Sequence, residues 1–295
     1  MDRNYFLDMY DLDAQDLVDL NINWVDLYNI LQDYKKSIDI CDARLTYVAN
    51  VLRQHPKVHS VKTRVKDPQR LLQKLVRKTP DRREKYGEDF NFNIQNYKDE
   101  ITDLMGIRVI HIFKEDWEEI HKFITNKWEV IEIVANIREG DNVTPFEEKS
   151  IPVRSRISGY RSVHYLIRYG SPYDLCTIEI QVRTIFEEGY GEIDHQLRYS
   201  HDDDIPELLA QNLMLLNRIV GSSDEMASLI NKLNQSFDEI EEKYNKKLKQ
   251  KNDMLRDLRK KIYENDSLKK EERQSIINDI DKVILGDRSK YSRRK

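Results

Sequence analysis

The chain has 295 residues, a formal net charge of −4 and 35% charged residues, and its 9 glycines and 7 prolines are few enough to favour long solvated helices. No run approaches the roughly 18 apolar residues of a membrane helix, so neither a membrane protein nor a membrane partner is predicted. The start has no basic segment followed by an apolar stretch, and Cys41 and Cys176 lack metal-ligand or disulfide spacing. We therefore predict a cytoplasmic protein.

Residues 1–57 are predicted to form an N-terminal helical segment. Between Trp24 and Gln54, apolar side chains recur every three or four positions, which is the pattern of an amphipathic helix of about eight turns. The acidic stretch before it, residues 1–23, is predicted to be one short helix with a mobile start.

Strand and helix patterns alternate through residues 58–200, which we assign to an α/β domain with a mixed β-sheet surrounded by helices. Asp67 followed by Pro68 marks a helix start, with the carboxylate as N-cap and the proline in the first turn. The other predicted elements are strands at 60–65, 104–113 and 129–138, helices at 116–126 and 185–198, and a polar loop at 140–158.

Residues 201–295 are predicted to be a C-terminal helical extension with a disordered basic tail from Arg288 to Lys295. An apolar stripe flanked by charge is typical either of a coiled-coil seam or of a helix folded back on the domain, and both remain open. The seam would allow self-association or docking to an inhibitory partner. The stripe consists of Met226, Leu229, Leu233, Phe237, Ile240, Tyr244 and Leu248.

Two neighbouring strands carry polar chemistry along one face. Tyr160, Ser162 and His164 share a face at a period of two residues. On the following strand Glu179, Gln181 and Arg183 share a face, whereas Ile178, Ile180 and Val182 lie on the other. An ordinary half-buried strand has apolar residues on its inner face, so this pair of strands predicts the floor of a site.

Basic clusters and acids accompany these strands. Lys66, Arg70 and Lys74 are spaced four apart at a strand-to-helix junction, and a second cluster contains Arg154, Arg156 and Arg161. Asp103 stands directly before an apolar strand, and together with Glu179 it would give the site two carboxylates. Mg²⁺ prefers one or two carboxylates together with phosphate oxygens and water, so the pattern predicts a polyphosphate held by cations and a Mg²⁺ held by acids. Neither a GxxxxGK[ST] phosphate loop nor a protein-kinase motif set occurs.

Four strings in order resemble the synthetase domain of RelA/SpoT homologues, of the stand-alone small or toxic small alarmone synthetase type. They are residues 64–66 with Lys74, 103–108, 158–164 and 179–184. The resemblance covers about residues 58–199 and implies a nucleotidyltransferase-like fold. It also implies Mg²⁺-dependent transfer of pyrophosphate from ATP to the ribose 3′-hydroxyl of GDP or GTP, which gives (p)ppGpp and AMP.

The resemblance also implies roles for residues on the ATP side. Arg64 and Arg108 would stack on the two faces of adenine, as flat guanidinium groups can. Lys66 and Lys74 would hold the ATP phosphates, with Arg156 as a weaker candidate. Asp103 would bind Mg²⁺.

On the acceptor side the resemblance implies a second set of roles. Glu179 would share the metal or take the proton of the acceptor hydroxyl. Tyr160 would stack on guanine. His164 and Gln181 would contact acceptor phosphate or support Glu179, with Arg161 as a further acceptor-side candidate.

Several alternatives stay open at this stage. Residues 186–190 differ from the asparagine-bearing version of this segment in small synthetases that bind guanine, and Glu188 would either accept from guanine or indicate another acceptor. Toxic members of the family, which this sequence also resembles, include some that pyrophosphorylate the 3′-terminal CCA of tRNA, so tRNA and a neutralising antitoxin protein are alternative partners. A catalytically dead nucleotide-binding regulator is the third hypothesis.

Three smaller interpretations accompany these hypotheses. Arg183 is either a site residue or a structural partner of Asp194 or Glu192, and His195 is interpreted as a packing residue. His201 followed by Asp202 resembles the hydrolase dyad of long family members only superficially, so no alarmone hydrolase activity is predicted.

Overall fold

The computed structural model describes residues 2–172, 174–199, 205–264 and 269–292. The chain divides into two compact units, residues 1–228 and residues 229–295, so the helices before the sheet and the first part of the long helix after it belong to the same unit as the sheet. The compact units have one boundary, after residue 228, and the predicted division at residues 57 and 200 stays a prediction. His201 and Asp202 lie outside the described residues.

The first unit contains one mixed six-stranded sheet in the order β1-β2-β6-β5-β3-β4, which confirms the predicted fold class. Strands β2 and β6 pair in parallel, as do β3 and β4, and the other neighbours are antiparallel. The strands are β1 (Ser60–Val65), β2 (Met105–His111), β3 (Glu129–Ile137), β4 (Val153–Ser155), β5 (Ser162–Ser171) and β6 (Asp174–Thr184).

Ten helices are present in the described part of the chain, and three predictions about them were wrong. The first 23 residues form two helices rather than one, the predicted loop at 140–158 contains α7 and β4, and the predicted disordered tail is helical as far as Ser292. The helices are α1 (Arg3–Met9), α2 (Ala14–Asp19), α3 (Trp24–Leu52), α4 (Pro68–Tyr86), α5 (Tyr97–Glu100), α6 (Asp116–Lys127), α7 (Thr144–Glu147), α8 (Ile185–Tyr199), α9 (Glu207–Tyr263) and α10 (Lys270–Ser292).

Side-chain caps begin the two helices that flank β1. The Asn23 side chain accepts from the Val25 amide at the start of α3. The Asp67 side chain accepts from the Arg70 amide at the start of α4, and Pro68 takes the first turn, as predicted. The Asp67 cap fixes where the basic helix α4 begins beside β1.

Alternation along the strands buries one face of the sheet and leaves the other for polar residues. On β6, Ile178, Ile180 and Val182 are buried, together with apolar residues of β2 and β5. The second half of α3 and helix α6 cover this face. A separate apolar cluster joins α1, α2, the first half of α3 and α4, and it anchors the basic helix α4.

The second unit consists of the rest of α9 and helix α10. Ile277 and Ile280 of α10 are buried, and Arg259 forms an ion pair with Asp281 at 3.0 Å. Six of the seven residues of the predicted apolar stripe are exposed, with Phe237 at 69% and Ile240 at 63% of their full accessible surface, and Leu248 is half-buried. No described helix is long and apolar enough to cross a membrane.

Candidate active site

The register of the sheet arranges the predicted polar residues in two rows across the strands. One row runs from Arg64 on β1 past Gly106 on β2 to Glu179 on β6. The next row contains Lys62, Arg108, Gln181 and His164, from β1 to β5. Because pairing partners on adjacent strands point to the same face, residues far apart in sequence become neighbours here.

A cleft of about 590 Å³ opens over these rows. Its walls come from β1, the start of α4, β2, β6 and the face of α8. The predicted residues Arg64, Lys66, Asp103, Arg108, Glu179 and Gln181 all line it. The structure therefore brings together three of the predicted ATP-side residues, Arg64, Lys66 and Arg108, and both predicted carboxylates.

At one end of the cleft, the carboxylate of Asp103 is paired with two lysines. The Oδ2 atom of Asp103 lies 2.8 Å from Lys66 Nζ and 2.7 Å from Lys74 Nζ. Burial favours the protonated form of Asp103, but the two ammonium groups outweigh it and hold the pKa of Asp103 below its ordinary value. Burial lowers the pKa of Lys66, against the attraction of Asp103. The hydroxyl of Tyr34 donates to the Lys66 carbonyl at 2.6 Å and fixes the backbone at this point.

Glu179 has a hydrogen-bond partner on each carboxylate oxygen. His164 Nδ1 lies 3.1 Å from Oε1, and Gln181 Nε2 donates to Oε2 at 2.8 Å. Burial raises the pKa of Glu179, but the His164 contact and the Gln181 hydrogen bond outweigh it, so the pKa lies below its ordinary value. Tyr160 extends this series of hydrogen-bonded side chains, because its hydroxyl lies 3.1 Å from His164 Nε2.

The cleft supplies two acids with which a metal could be held. Asp103 Oδ1 is buried and has no hydrogen-bond partner among the described residues. No group of three or more histidine, cysteine or acidic side chains that could hold a metal occurs in the described part of the chain. An unpartnered carboxylate oxygen with a second carboxylate in the same cleft suits Mg²⁺, which takes most of its ligands from water and substrate phosphates.

One interpretation of the sequence expected Arg183 to pair with Asp194 or Glu192, but among the described residues its ion-pair partner is Glu188. Its Nη1 lies 3.2 Å from Glu188 Oε2, and both side chains are buried, at 3% and 7% exposure. The guanidinium carbon also lies 5.0 Å from the centre of the Tyr160 ring. Lys62 Nζ contacts the other carboxylate oxygen of Glu188 at 3.0 Å. Glu188 is thus surrounded by cations, and its contact with guanine stays a prediction.

The structure places Arg156 and Arg161 at a second cavity, of about 670 Å³, between the β4–β5 loop and α9. Arg161 is buried and holds the Asp141 carboxylate at 2.6 and 3.0 Å, with a further hydrogen bond to Asn217 at 3.0 Å. Arg156 donates from Nε to Asn136 at 2.7 Å. Arg161 therefore stabilises the walls of this cavity, and its contact with the acceptor stays a prediction.

Sequence reasoning missed the contribution of α8 to the cleft. Glu192, His195 and Gln196 line it, and Glu192 pairs with Arg108. His195 is exposed to the cleft, so its interpretation as a packing residue was wrong. Together with Glu188, these residues are spaced three or four apart, and that helical spacing would have identified a polar face directed at the sheet.

Residues 63–204 match a sequence family described as "Region found in RelA / SpoT proteins". The chain is therefore similar to the RelA/SpoT family over just under half of its length. It is 25% identical over 224 residues to GTP pyrophosphokinase YwaC of Bacillus subtilis (strain 168), a match that covers 73% of this chain and 95% of the relative. It is 22% identical over 209 residues to GTP pyrophosphokinase YjbM of the same strain, covering 68% and 86%.

A solved structure shares the fold of this chain. Small alarmone synthetase 1 from Bacillus subtilis superimposes with a TM-score of 0.51 at 20% identity, covering 70% of this chain and 96% of that chain. At this identity the similarity establishes the fold only. What the cleft can do chemically depends on the residues that line it.

Proposed function

We propose that this protein transfers a pyrophosphoryl group from ATP to the ribose 3′-hydroxyl of GDP or GTP, releasing AMP. The observation that carries the proposal is the single cleft in which Asp103, with Lys66 and Lys74, lies beside Glu179, with His164 and Tyr160. The names of the two relatives, both GTP pyrophosphokinases, support the same reaction.

The donor end of the cleft suits a nucleoside triphosphate. Lys66 and Lys74 are compact point charges, and the phosphates of ATP would meet them where they now neutralise Asp103. Arg64 and Arg108 line the same cleft on adjacent strands, so their flat guanidinium groups are available to stack on adenine. Binding here holds the triphosphate over the sheet and directs its β-phosphorus towards Glu179.

Asp103 and Glu179 are the residues that would hold Mg²⁺. A bound Mg²⁺ would neutralise charge on the transferred group and on the departing AMP. Oδ1 of Asp103, which is buried and has no hydrogen-bond partner among the described residues, would be one ligand, and substrate phosphates would supply others.

Glu179 is suited to accept the proton of the acceptor hydroxyl. Its lowered pKa keeps the carboxylate ionised at neutral pH, and ionisation is the state a base requires. The 3′-oxygen then attacks the β-phosphorus, the bond from that phosphorus to the bridging oxygen of AMP breaks, and AMP leaves with the bridging oxygen. Tyr160 offers an aromatic face for the acceptor's base. Most of the rate enhancement would come from positioning and charge stabilisation.

A labelled-transfer assay tests the proposal. The protein is incubated with Mg²⁺ and ATP labelled in the β and γ phosphates, with GDP, GTP or deacylated tRNA as acceptor in parallel arms. We expect label on the guanosine nucleotide and release of unlabelled AMP, and loss of both in Glu179→Gln. Glu129→Gln is a matched control, because Glu129 lies at the start of β3, outside the cleft walls, and forms an ion pair with Arg168. Label on tRNA alone, or on no acceptor at any Mg²⁺ concentration, would refute the proposal.

A further inference from the structure

The loop between β4 and β5 carries Tyr160, the residue that offers an aromatic face to the acceptor's base. The loop runs from Arg156 to Arg161. Its backbone makes a tight turn, because the Gly159 amide donates to the Arg156 carbonyl at 2.8 Å. Gly159 has a φ of +74°, which lies in the left-handed region that favours glycine. The position of Tyr160 therefore depends on how this turn is held.

One side chain of α9 holds the loop on both sides of Tyr160. Asn217 Nδ2 donates to the Gly159 carbonyl at 2.8 Å, and Asn217 Oδ1 accepts from Arg161 Nη1 at 3.0 Å. Asn217 is only 1% exposed, so its two bonds are shielded from exchange with water. The residues directly before and after Tyr160 are thus fixed to the same amide group.

Two glycines allow α9 to approach the loop this closely. A Cβ atom on Gly159 would lie 2.7 Å from the Asn217 side chain. A Cβ atom on Gly221, one turn further along α9, would lie 3.1 Å from Arg161 Nη2. Asp141 accepts from the Nε and Nη2 atoms of Arg161, so Asn217 bonds to a guanidinium that is already fixed.

The start of the loop is held by other elements. Tyr190 on α8 donates to the Ser158 carbonyl, and Arg156 donates from Nε to Asn136 at 2.7 Å. Removal of the Asn217 amide would therefore leave the start of the loop in place and loosen residues 159–161.

We propose that Asn217 is a positioning residue for acceptor binding, which holds the loop so that the Tyr160 ring is in place before the acceptor arrives. The inference rests on the proposed transfer reaction. A loop that is ordered in advance spares the acceptor the conformational entropy of ordering it. Asn217 lies beyond residues 63–204, the segment similar to the RelA/SpoT family, so α9 would add this contribution from outside that segment.

The test compares two substitutions of Asn217 in the transfer assay. Asn217→Ala removes both hydrogen bonds, whereas Asn217→Asp, of nearly the same shape, keeps an acceptor for Arg161 and loses the donor to Gly159. The acceptor then binds only the fraction of molecules in which the loop is in place, so its apparent affinity falls by that fraction. We expect the KM of GDP or GTP to rise roughly tenfold in Asn217→Ala and less in Asn217→Asp, with the KM of ATP and kcat changed by less than about twofold.

Asn212→Ala is the matched control. Asn212 is an exposed asparagine of the same helix, and its Nδ2 donates to the Leu208 carbonyl of α9 at 2.7 Å, so all three constants should keep their wild-type values. A merely structural role of Asn217 predicts another pattern, because a variant that only loses stability contains less active protein. A lower kcat with both KM values unchanged, in both Asn217 variants, would overturn the inference, as would equal rises in the two KM values.

Hydrogen exchange separates failure of this inference from failure of the proposed function, because it needs no turnover. Without substrates, the amides of residues 159–161 should exchange faster in Asn217→Ala than in the wild type, whereas those of residues 163–167 on β5 should not. Equal exchange at residues 159–161 in the two proteins would overturn the inference even in an active enzyme.

Discussion

Asp224 on α9 is a buried acid whose removal should stabilise the protein at neutral pH. Its side chain is 1% exposed, Thr184 donates to Oδ2 at 3.0 Å, and Oδ1 has no hydrogen-bond partner among the described residues. Burial and the nearby Glu187 raise its pKa from 3.8 to about 7, against the weaker influence of Thr184, Lys114 and Arg161. The folded state therefore prefers Asp224 protonated.

The sign of the effect follows from proton linkage. Between pH 4 and pH 7 the folded chain holds a proton on Asp224 that the unfolded chain has lost, so the free energy of unfolding falls as pH rises through this window. A pKa difference of about 3 units corresponds to about 4 kcal/mol at most, and the part lost between pH 5 and pH 8 is about 3 kcal/mol. In Asp224→Asn the amide carbonyl keeps the Thr184 hydrogen bond and cannot ionise, so this loss should disappear.

Urea unfolding at pH 5, 6, 7 and 8 measures the prediction. We expect the stability of Asp224→Asn relative to wild type to rise by about 3 kcal/mol from pH 5 to pH 8. Histidine titration affects both proteins equally and cancels in the difference. Asp141→Asn is the control, because the pKa of Asp141 is lowered by Arg161 against the effect of burial, and its loss should destabilise by a constant amount over this range. Parallel curves for Asp224→Asn and wild type would refute the reasoning.

Three further predictions concern the cleft and the apolar stripe. Asp103→Asn should lower kcat at least 100-fold at saturating ATP, because it removes a charged ligand of the proposed Mg²⁺ and leaves the buried Lys66 without its ion-pair partner. An unchanged rate in the transfer assay would contradict this prediction. Tyr160→Phe should change the acceptor KM little but move the acid limb of the pH–kcat profile to higher pH, because the aromatic ring can still stack on the acceptor's base while the hydrogen bond to His164 is lost. A pH–kcat profile that matches the wild type would contradict this. If the chain self-associates through the exposed apolar stripe, Ile240→Asp should reduce the mass measured by light scattering to about 35.3 kDa, whereas the control Lys243→Asp should not. An unchanged mass distribution in Ile240→Asp would argue against a coiled-coil seam.

Periodicity was enough to predict most strands and the carboxylate pair. Alternation along residues 178–183 predicted correctly which side chains of β6 share the polar face, because the period of a strand is two wherever it lies in a sheet. The same logic failed for β4, which has three residues and is too short to show a period. Strand order was also out of reach, since nothing local indicates that β6 lies between β2 and β5.

Partners of buried charges were the least predictable part of the site. Arg183 was expected to pair with Asp194 or Glu192 if structural, but α8 begins at Ile185 directly after β6, and its first turn brings Glu188 back over the strand. Arg161 was placed on the acceptor side by the family resemblance. Asp141, 20 positions earlier, neutralises it, and such a pair depends on how two loops meet rather than on spacing.

The order of the strands has a consequence for how the chain folds during synthesis. β6 is the last strand to leave the ribosome and lies in the interior of the sheet, between β2 and β5. Before residue 184 emerges, the sheet can exist only as two separate pieces, β1–β2 and β5–β3–β4, each with an unpaired edge. Glu179 arrives with that closing strand, so the residue proposed as the proton acceptor is delivered by the same event that joins the two pieces.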